Sequence, residues 1–326
     1  MKLKHIVSAN QFSPEICEEI FQTAEKIRKK KVVRNYLKNK SIVLLFWEPS
    51  TRTFLSFYNA ILKMGGSPIP IFNAGKFSSA VKGESLEDTI RVCVDLKVDG
   101  IIMRHNVEGS AEIAKKTLER YSPKVRLINA GDGKGEHPTQ MLLDIYTIWR
   151  KKREKLKKGR LVGALVGDLQ NSRVLHSNAK ILAKYKTKLI LISEKQNNFP
   201  LELMKELEKE KIEILKTEKI EKFAKEIDFW IFTRLQLERI AGGFKKEKKL
   251  ISLQKEFTKK FGVTKSLLKK MKKDAILLHP LPRLEEIPTW VDEDERAVYL
   301  SKRWGGESQV ENGLYCRMAL LKLIFN

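Results

Sequence analysis

The chain has 326 residues, and its 42% hydrophobic content is enough for the cores of two ordinary domains. Its three cysteines lie far apart without a Cys-x-x-Cys pair, so the sequence predicts neither a disulfide framework nor a structural zinc site. No apolar run approaches the roughly 18 residues needed to span a bilayer, and the first residues lack a signal-peptide core. We therefore expect a cytoplasmic protein with no membrane partner.

The net charge of +24 comes from short lysine-rich runs at apparent helix ends and linkers. A basic surface attracts phosphate polymers whatever their sequence. Aromatic residues are not interleaved with these runs, however, as a single-strand stacking platform would require. The pattern therefore favours a solvated surface over dedicated nucleic-acid binding.

In the first half of the chain, strand-like and helical patterns alternate as in a parallel α/β domain, which we place at residues 1–150. An amphipathic helix is predicted over Pro14–Lys29, and strand-like runs then alternate with helical patterns. The predicted strands are Ile42–Phe46, Ile69–Phe72, Gly100–Met103 and Val125–Asn129. One helix is predicted to start at Thr53. The other predicted helices are Ser85–Lys97, Ala111–Arg120 and Pro138–Arg150.

A second α/β unit is predicted at residues 151–300, beginning with the charged stretch Lys151–Lys158. The predicted strands of this unit are Leu161–Val166, Lys188–Ile192, Ile212–Leu215, Phe229–Phe232 and Ala275–Leu278, and its first helix follows Arg173. The last segment, 301–326, contains a predicted helix over Leu314–Phe325. The fold class is therefore α/β, with two doubly wound parallel-sheet domains and the active site in the cleft between them.

The run Ser50-Thr51-Arg52-Thr53 stands where the first predicted strand ends and a helix begins. A phosphate there would meet backbone N–H groups, the positive end of the helix dipole, three hydroxyls and a forked guanidinium. The same run fits an ordinary Ser/Thr helix cap beside a surface arginine. Other motifs must decide between these two interpretations.

Cationic and hydrogen-bonding side chains recur beside the other predicted strands. Taken alone, His137 fits a helix-start histidine satisfied by backbone, because Pro138 explains the local pattern. Beside the other motifs, a chemical role is favoured. The motifs are Lys82–Thr89, Met103–His105, Gly131–Gln140, Gly167–Ser177, Thr233–Arg239 and His279–Arg283.

In their order and spacing these motifs resemble the aspartate/ornithine carbamoyltransferase superfamily, above all its aspartate-specific catalytic chains. The similarity runs from Leu3 to Tyr315. It implies transfer of the carbamoyl group of carbamoyl phosphate to the amine of L-aspartate, which gives N-carbamoyl-L-aspartate and phosphate in pyrimidine (UMP) biosynthesis. It further implies that no cofactor, metal or covalent intermediate takes part, and that the terminal helix returns to the first domain.

The resemblance assigns the two substrates to different residue sets. Those expected to bind carbamoyl phosphate are Ser50, Thr51, Arg52, Thr53, Ser78, Lys82, Arg104, His137 and Gln140. Those expected to bind aspartate are Lys82, Arg173, Arg234, Gln236, Leu281 and Pro282. The expected catalytic residues are Arg52, Thr53, Lys82, Arg104 and His137.

Two alternative functions remain open at this point. One is a transcarbamylase for another amino acid, but ornithine-type relatives carry a cysteine where this chain has Pro280, and Arg173 with Arg234 fits a dicarboxylate. The other is a non-catalytic paralogue, which should have lost part of the phosphate-binding set. That set is complete in this sequence, so an active aspartate enzyme is favoured.

The resemblance also implies subunit and domain behaviour. Glu48 is expected to bridge to Arg173 and Arg239 when both substrates bind and the domains close. Ser78 and Lys82 match residues that reach into the neighbouring subunit's site, so we expect a homotrimer with shared active sites. Whether a regulatory chain or a dihydroorotase joins the complex stays open.

Overall fold

The computed structural model describes residues 4–30, 33–72, 83–237, 247–303 and 305–325, except the side chains of 247–250. The chain divides into two compact units, Met1–Tyr146 with Asn312–Asn326, and Thr147–Glu311. Each unit is built on a parallel sheet with helices, which confirms the predicted α/β class. The predicted domain limits at residues 150 and 300 remain predictions.

The strands of each unit pair in parallel throughout. The first sheet has the order β2-β1-β3-β4, and the second has the order β7-β6-β5-β8-β9. The strands are β1 (Ser41–Phe46), β2 (Ser67–Ile71), β3 (Gly100–His105), β4 (Arg126–Asp132), β5 (Val162–Val166), β6 (Lys188–Ile192), β7 (Ile214–Thr217), β8 (Phe229–Phe232) and β9 (Ile276–Leu278).

Helices follow most strands, as crossover connections between parallel strands require. The helices are α1 (Pro14–Lys29), α2 (Thr51–Lys63), α3 (Leu86–Asp95), α4 (Ser110–Tyr121), α5 (Pro138–Lys157), α6 (Arg173–Lys184), α7 (Leu201–Glu208), α8 (Glu247–Phe261), α9 (Lys265–Lys270) and α10 (Gln309–Phe325). Within the described ranges, none of them is both long and apolar enough to cross a bilayer.

Each sheet buries its apolar strand residues under helices. In the first unit, Leu45 and Ile101 pack with Leu118 of α4. In the second, Trp230 and Leu277 pack with Phe257 and other residues of the C-terminal half of that unit. Because both faces of these strands are covered, they have the nearly continuous apolar character that made them visible in the sequence.

The helix predicted to end at Arg150 extends into the charged stretch Lys151–Lys158. Helix α5 continues through it to Lys157, with one non-helical residue at Lys152 (φ −136°, ψ 28°). Lysine and glutamate are good helix formers, and Leu156 is buried within this stretch. The two compact units divide between Tyr146 and Thr147, which are both residues of α5.

Candidate active site

In each sheet the strand order changes direction at one place, between β1 and β3 in the first unit and between β5 and β8 in the second. Connections leave those neighbouring strands toward opposite faces, so a crevice opens at their carboxyl ends, where ligands of such sheets bind. The segments after these four strands are the ones that the sequence marked as polar motifs. The topology thus gives each unit one candidate half-site.

Ser50 occupies the cap position of α2, but its hydroxyl makes no capping hydrogen bond to the helix. By contrast, the cap residues Ser13, Ser85 and Ser172 of other helices each accept a hydrogen bond from a backbone N–H three residues on. Ser50 is therefore not the ordinary side-chain cap that the sequence left open. The start of α2 has the N–H groups and the positive dipole end that suit a phosphate.

Thr53 and His137 come together although they are far apart in sequence. Thr53 lies in the first turn of α2 and His137 immediately precedes α5, and both are buried. The Thr53 Oγ1 and His137 Nε2 atoms lie 3.5 Å apart. The two helix starts therefore converge, which brings the predicted phosphate-binding run Ser50–Thr53, called the phosphate cradle below, next to the predicted catalytic residue His137.

The hydrogen bonds of His137 define which ring nitrogen carries the proton. The Gln140 backbone N–H donates to His137 Nδ1 at 3.3 Å. A nitrogen that accepts a hydrogen bond is unprotonated, so in the neutral ring the proton is on Nε2. The Nε2–H group, on the side of Thr53, is a donor for an oxygen that gains negative charge.

Gln140 is fixed by a residue that the sequence did not single out. Its side-chain Nε2 donates to Asp144 Oδ1 at 2.8 Å, and Asp144 is fully buried. This bond directs the Gln140 carbonyl oxygen away from Asp144, where it can accept from an N–H group such as a carbamoyl amide. The spacing of four residues on one helix is the sequence signal that would have revealed the pair.

Arg104, the next-to-last residue of β3, pairs with Glu48, which follows β1. The Arg104 Nη2 and Glu48 Oε1 atoms lie 2.7 Å apart, and Arg104 Nη1 donates to the Ala130 carbonyl oxygen at 3.2 Å. The sequence predicted Arg104 for phosphate and Glu48 for bridges to Arg173 and Arg239. The bridging role stays a prediction, while the Glu48–Arg104 pair is a contact that sequence analysis missed.

The sequence neighbours of this ion pair also contact each other. Trp47 and His105 lie next to Glu48 and Arg104 in sequence, and their ring centres are 4.6 Å apart. His105 Nδ1 accepts a hydrogen bond from the Val107 N–H at 3.0 Å, and burial lowers the pKa of His105. The neutral ring thus fixes the end of β3, and Arg104 with it.

In the second unit, Asp168 ties together the loops that follow β5 and β8. Its carboxylate accepts from the Asn171 N–H at 3.0 Å and from the Gln236 N–H at 3.1 Å. Arg173 is the first residue of α6 and is buried, and Arg234 Nη1 donates to the Leu235 carbonyl oxygen at 3.1 Å. The loops with the predicted aspartate ligands are therefore held to each other.

The predicted ligands Leu281 and Pro282 follow β9, and the bond between them is cis. The Leu281 N–H donates to His279 Nδ1 at 2.8 Å, and His279 Nε2 lies 3.0 Å from Glu286 Oε1. Burial acts to raise the pKa of Glu286, but the hydrogen bond and charge of His279 outweigh it, so the pKa is lowered. This buried pair anchors the loop.

The predicted residues Ser78, Lys82 and Arg239 lie outside the described residues. Among the residues that the structure does describe, no group of three or more His, Cys, Asp or Glu side chains is arranged to hold a metal ion. The Thr53 hydroxyl and the His137 imidazole converge in the first unit, and the other residues predicted for its site are hydroxyl, amide and guanidinium donors. Such donors suit an anion better than a cation.

These features define a class of protein: two doubly wound α/β units, with a helix start suited to an anion in the first and loops that carry Arg173, Arg234 and Gln236 in the second. Models of the aspartate/ornithine carbamoyltransferase family match both units. The carbamoyl-phosphate-binding domain matches residues 4–150 and the aspartate/ornithine-binding domain matches residues 161–324. The chain therefore belongs to the aspartate/ornithine carbamoyltransferase family.

Individual relatives are similar along the whole chain. The chloroplastic aspartate carbamoyltransferase of Arabidopsis thaliana is 40% identical, over 99% of this chain and 78% of the relative. The aspartate carbamoyltransferase catalytic subunit of Sulfolobus acidocaldarius is 38% identical over 99% of both chains. The crystal structure of Trypanosoma cruzi aspartate transcarbamoylase with carbamoyl aspartate and phosphate superposes with a TM-score of 0.84 and 32% identity, covering 100% of this chain and 97% of that one.

Proposed function

We propose that this chain is an aspartate carbamoyltransferase, which uses carbamoyl phosphate and L-aspartate and forms N-carbamoyl-L-aspartate and phosphate. The observation that carries the proposal is the convergence of Thr53 and His137, whose side chains lie 3.5 Å apart at two helix starts. It places a phosphate cradle next to a donor for a carbonyl oxygen. The relatives named above are aspartate enzymes, which supports aspartate over ornithine as the second substrate.

Carbamoyl phosphate binds in the first unit. The phosphate lies at the start of α2, where it accepts hydrogen bonds from Ser50, Thr51, Arg52 and Thr53 and from helix N–H groups. Arg104 supplies a second guanidinium after it leaves Glu48. The Gln140 carbonyl oxygen accepts from the carbamoyl amide, so the reacting carbon is fixed next to His137.

Aspartate binds in the second unit. Arg173, Arg234 and Gln236 bind its two carboxylates, and the Leu281 backbone carbonyl, in the loop that also holds Pro282, orients the amine. The Asp168 and Glu286 carboxylates do not contact the substrate in this scheme. They hold the loops from which these groups project, and so reduce the entropy lost when aspartate is bound.

In the reaction, the aspartate amine nitrogen forms a bond to the carbamoyl carbon, and the carbonyl oxygen becomes negatively charged. His137 Nε2–H, Thr53 and Arg104 stabilise that oxygen. The bond from the carbon to the phosphate oxygen then breaks, and the phosphate leaves with the electron pair and accepts the amine proton. The chemistry uses positioning and charge stabilisation, and no residue of the chain becomes covalently modified.

The assembly belongs to the same proposal. The chain acts as a cytoplasmic homotrimer, in which Ser78 and Lys82 of one subunit complete the site of its neighbour. Glu48, once displaced from Arg104, bridges to Arg173 and Arg239 and holds the closed state. A regulatory chain or a dihydroorotase is a further partner to be sought by purification from the native source.

The test is a panel of amine acceptors with carbamoyl phosphate as donor and phosphate release as the readout. We expect turnover with L-aspartate and none above background with ornithine or other amino acids. Omission of the acceptor controls for spontaneous hydrolysis of carbamoyl phosphate. Preference for another acceptor would replace the aspartate assignment, and no release with any acceptor would favour the non-catalytic alternative.

A further inference from the structure

A buried arginine lies behind the cradle, on the terminal helix. Arg317 of α10 is 4% exposed, and burial lowers the pKa of its guanidinium to about 10, although Cys316 and Asp144 act to raise it. A buried charge is expensive, and an apolar side chain of similar volume often replaces it without loss of stability. Stability alone therefore gives no reason for an arginine at this position.

The contacts of Arg317 with α2 lie about one turn beyond the phosphate cradle. Arg317 Nη1 donates to Ser56 Oγ at 2.8 Å, and its guanidinium carbon is 5.0 Å from the centre of the Phe57 ring. Ser56 follows Thr53 by three residues, so both lie on neighbouring positions of one helix face. The guanidinium thus fixes the turn of α2 that carries Thr53.

The same arginine faces α5. Asp144, which attracts the Arg317 charge, accepts the hydrogen bond from Gln140 Nε2 at 2.8 Å. Gly313 lies one turn before Arg317 on α10. A Cβ atom at Gly313 would come within 3.1 Å of Arg317 Nη1 and 3.0 Å of Leu143 on α5. The glycine therefore leaves room for the guanidinium and for close approach of α10 to α5.

We propose that Arg317 is a positioning residue that holds the starts of α2 and α5 at the separation that catalysis needs. It acts through Ser56 on one helix and through Asp144 on the other, and does not itself contact substrate. The inference rests on the proposed function, because the separation it controls is that between Thr53 and His137. Arg317 is thus expected to affect turnover more than folding.

The decisive variant is Arg317→Met, which keeps the volume and removes both the charge and the forked donors. We expect kcat/KM for carbamoyl phosphate to fall about 10²-fold, mostly in kcat, as for other small misplacements of catalytic groups. The melting temperature should stay unchanged or rise, because the cost of burying a charge disappears. Arg317→Lys, which keeps the charge and a donor, should recover part of kcat. An unchanged kcat in Arg317→Met would overturn the proposal.

Arg28 of α1 provides the matched control, because it is an arginine that contacts α10 from another helix. Its guanidinium lies 4.1 Å from the centre of the Tyr315 ring, and its Nη2 donates to Asn312 Oδ1 at 2.6 Å. It ties α10 to α1 rather than to α2. Arg28→Met should lower the melting temperature and leave kcat unchanged. An equal loss of kcat in both variants would make the Arg317 effect a general loosening of α10 and would contradict the proposal.

If Arg317→Met does not fold, Ser56→Ala decides, since it removes the contact to α2 and leaves the charge. We expect kcat to fall about tenfold, in line with the loss of one hydrogen bond to a charged group. A kcat within about twofold of wild type would reject the proposal. A crystal structure of either variant separates this result from a failure of the proposed function. The Thr53–His137 distance should exceed 3.5 Å even if the wild-type chain transfers no carbamoyl group, and an unaltered distance would count against positioning.

Discussion

Glu48 and Arg104 form an ion pair, with Glu48 Oε1 and Arg104 Nη2 2.7 Å apart. The pair joins the carboxyl ends of β1 and β3, the neighbouring strands at which the strand order of the first sheet reverses. The guanidinium proposed for the phosphate is therefore held by a carboxylate in this structure. A phosphate dianion that binds Arg104 must take the place of Glu48. Binding of the first substrate and release of Glu48 are thus one event in the proposed mechanism.

Glu48→Gln should separate the two roles of this carboxylate. Carbamoyl phosphate should bind up to about fivefold tighter, because an ion pair of this exposure is worth about 1 kcal/mol at most. Turnover with aspartate should fall at least about tenfold, since the bridge that stabilises closure is lost. Titration calorimetry and steady-state kinetics measure the two effects. Glu112→Gln, which breaks an exposed pair with Lys115, is the control. Weaker carbamoyl-phosphate binding in Glu48→Gln would refute this exchange.

For His137→Ala we expect kcat to fall by about 10- to 100-fold with little change in the KM for carbamoyl phosphate, because its Nε2–H acts on charge that develops in the transition state. His137→Asn retains an N–H donor and should recover part of the activity. The measurement is kcat at saturating concentrations of both substrates. Full activity in the alanine variant would leave His137 with a structural role at the start of α5.

Arg234→Ala should raise the KM for aspartate at least about 100-fold, because a forked charge-assisted contact to a carboxylate is lost. The KM for carbamoyl phosphate should change by less than about twofold, since that substrate binds in the first unit. Arg160→Ala, an exposed arginine of the same unit, is the control for a change of net charge. An equal rise of both Michaelis constants would contradict the division of substrates between the units.

Hybrid trimers test whether subunits share sites. Lys82→Ala and Arg52→Ala chains should each be inactive alone, because each lacks a ligand of the transferring group. After mixing, dissociation and reassembly, some sites combine Arg52 from a Lys82→Ala chain with Lys82 from an Arg52→Ala chain. Activity should return at those sites. Wild-type chains taken through the same procedure control for recovery. If the mixture stays inactive while the wild type recovers, the sites are not shared.

Strands were the part of the fold most readily predicted from sequence. Lys188–Ile192 and Phe229–Phe232 occur with the predicted limits because apolar, β-rich runs buried on both faces have few other interpretations. Helix α8 (Glu247–Phe261) was not predicted, because five lysines and two glutamates obscure its apolar spacing. The continuation of α5 beyond Arg150 was missed for a related reason, since the charged run Lys151–Lys158 was read as the start of the second unit.

The sequence predicted which residues belong to the candidate site, but not which of them contact each other. The motif order pointed to Ser50, Thr53 and His137, yet the 3.5 Å contact between the last two depends on how α2 and α5 pack. The Glu48–Arg104 pair likewise joins segments on different strands, and sequence spacing carries no signal for it. The individual roles of these residues remain predictions that only the variants above can test.

Carbamoyl transfer to aspartate is tested most directly by labelling the carbamoyl carbon and identifying the product that contains it. The purified chain is incubated with carbonyl-¹³C carbamoyl phosphate and L-aspartate, and the products are identified by NMR while phosphate is measured in the same sample. We expect one N-carbamoyl-L-aspartate for each phosphate released, at a rate that falls about 10²–10³-fold in Arg52→Ala. Lys63→Ala, at the other end of α2, should keep the wild-type rate. Phosphate release without labelled carbamoyl aspartate, or a wild-type rate in Arg52→Ala, would contradict the proposed function.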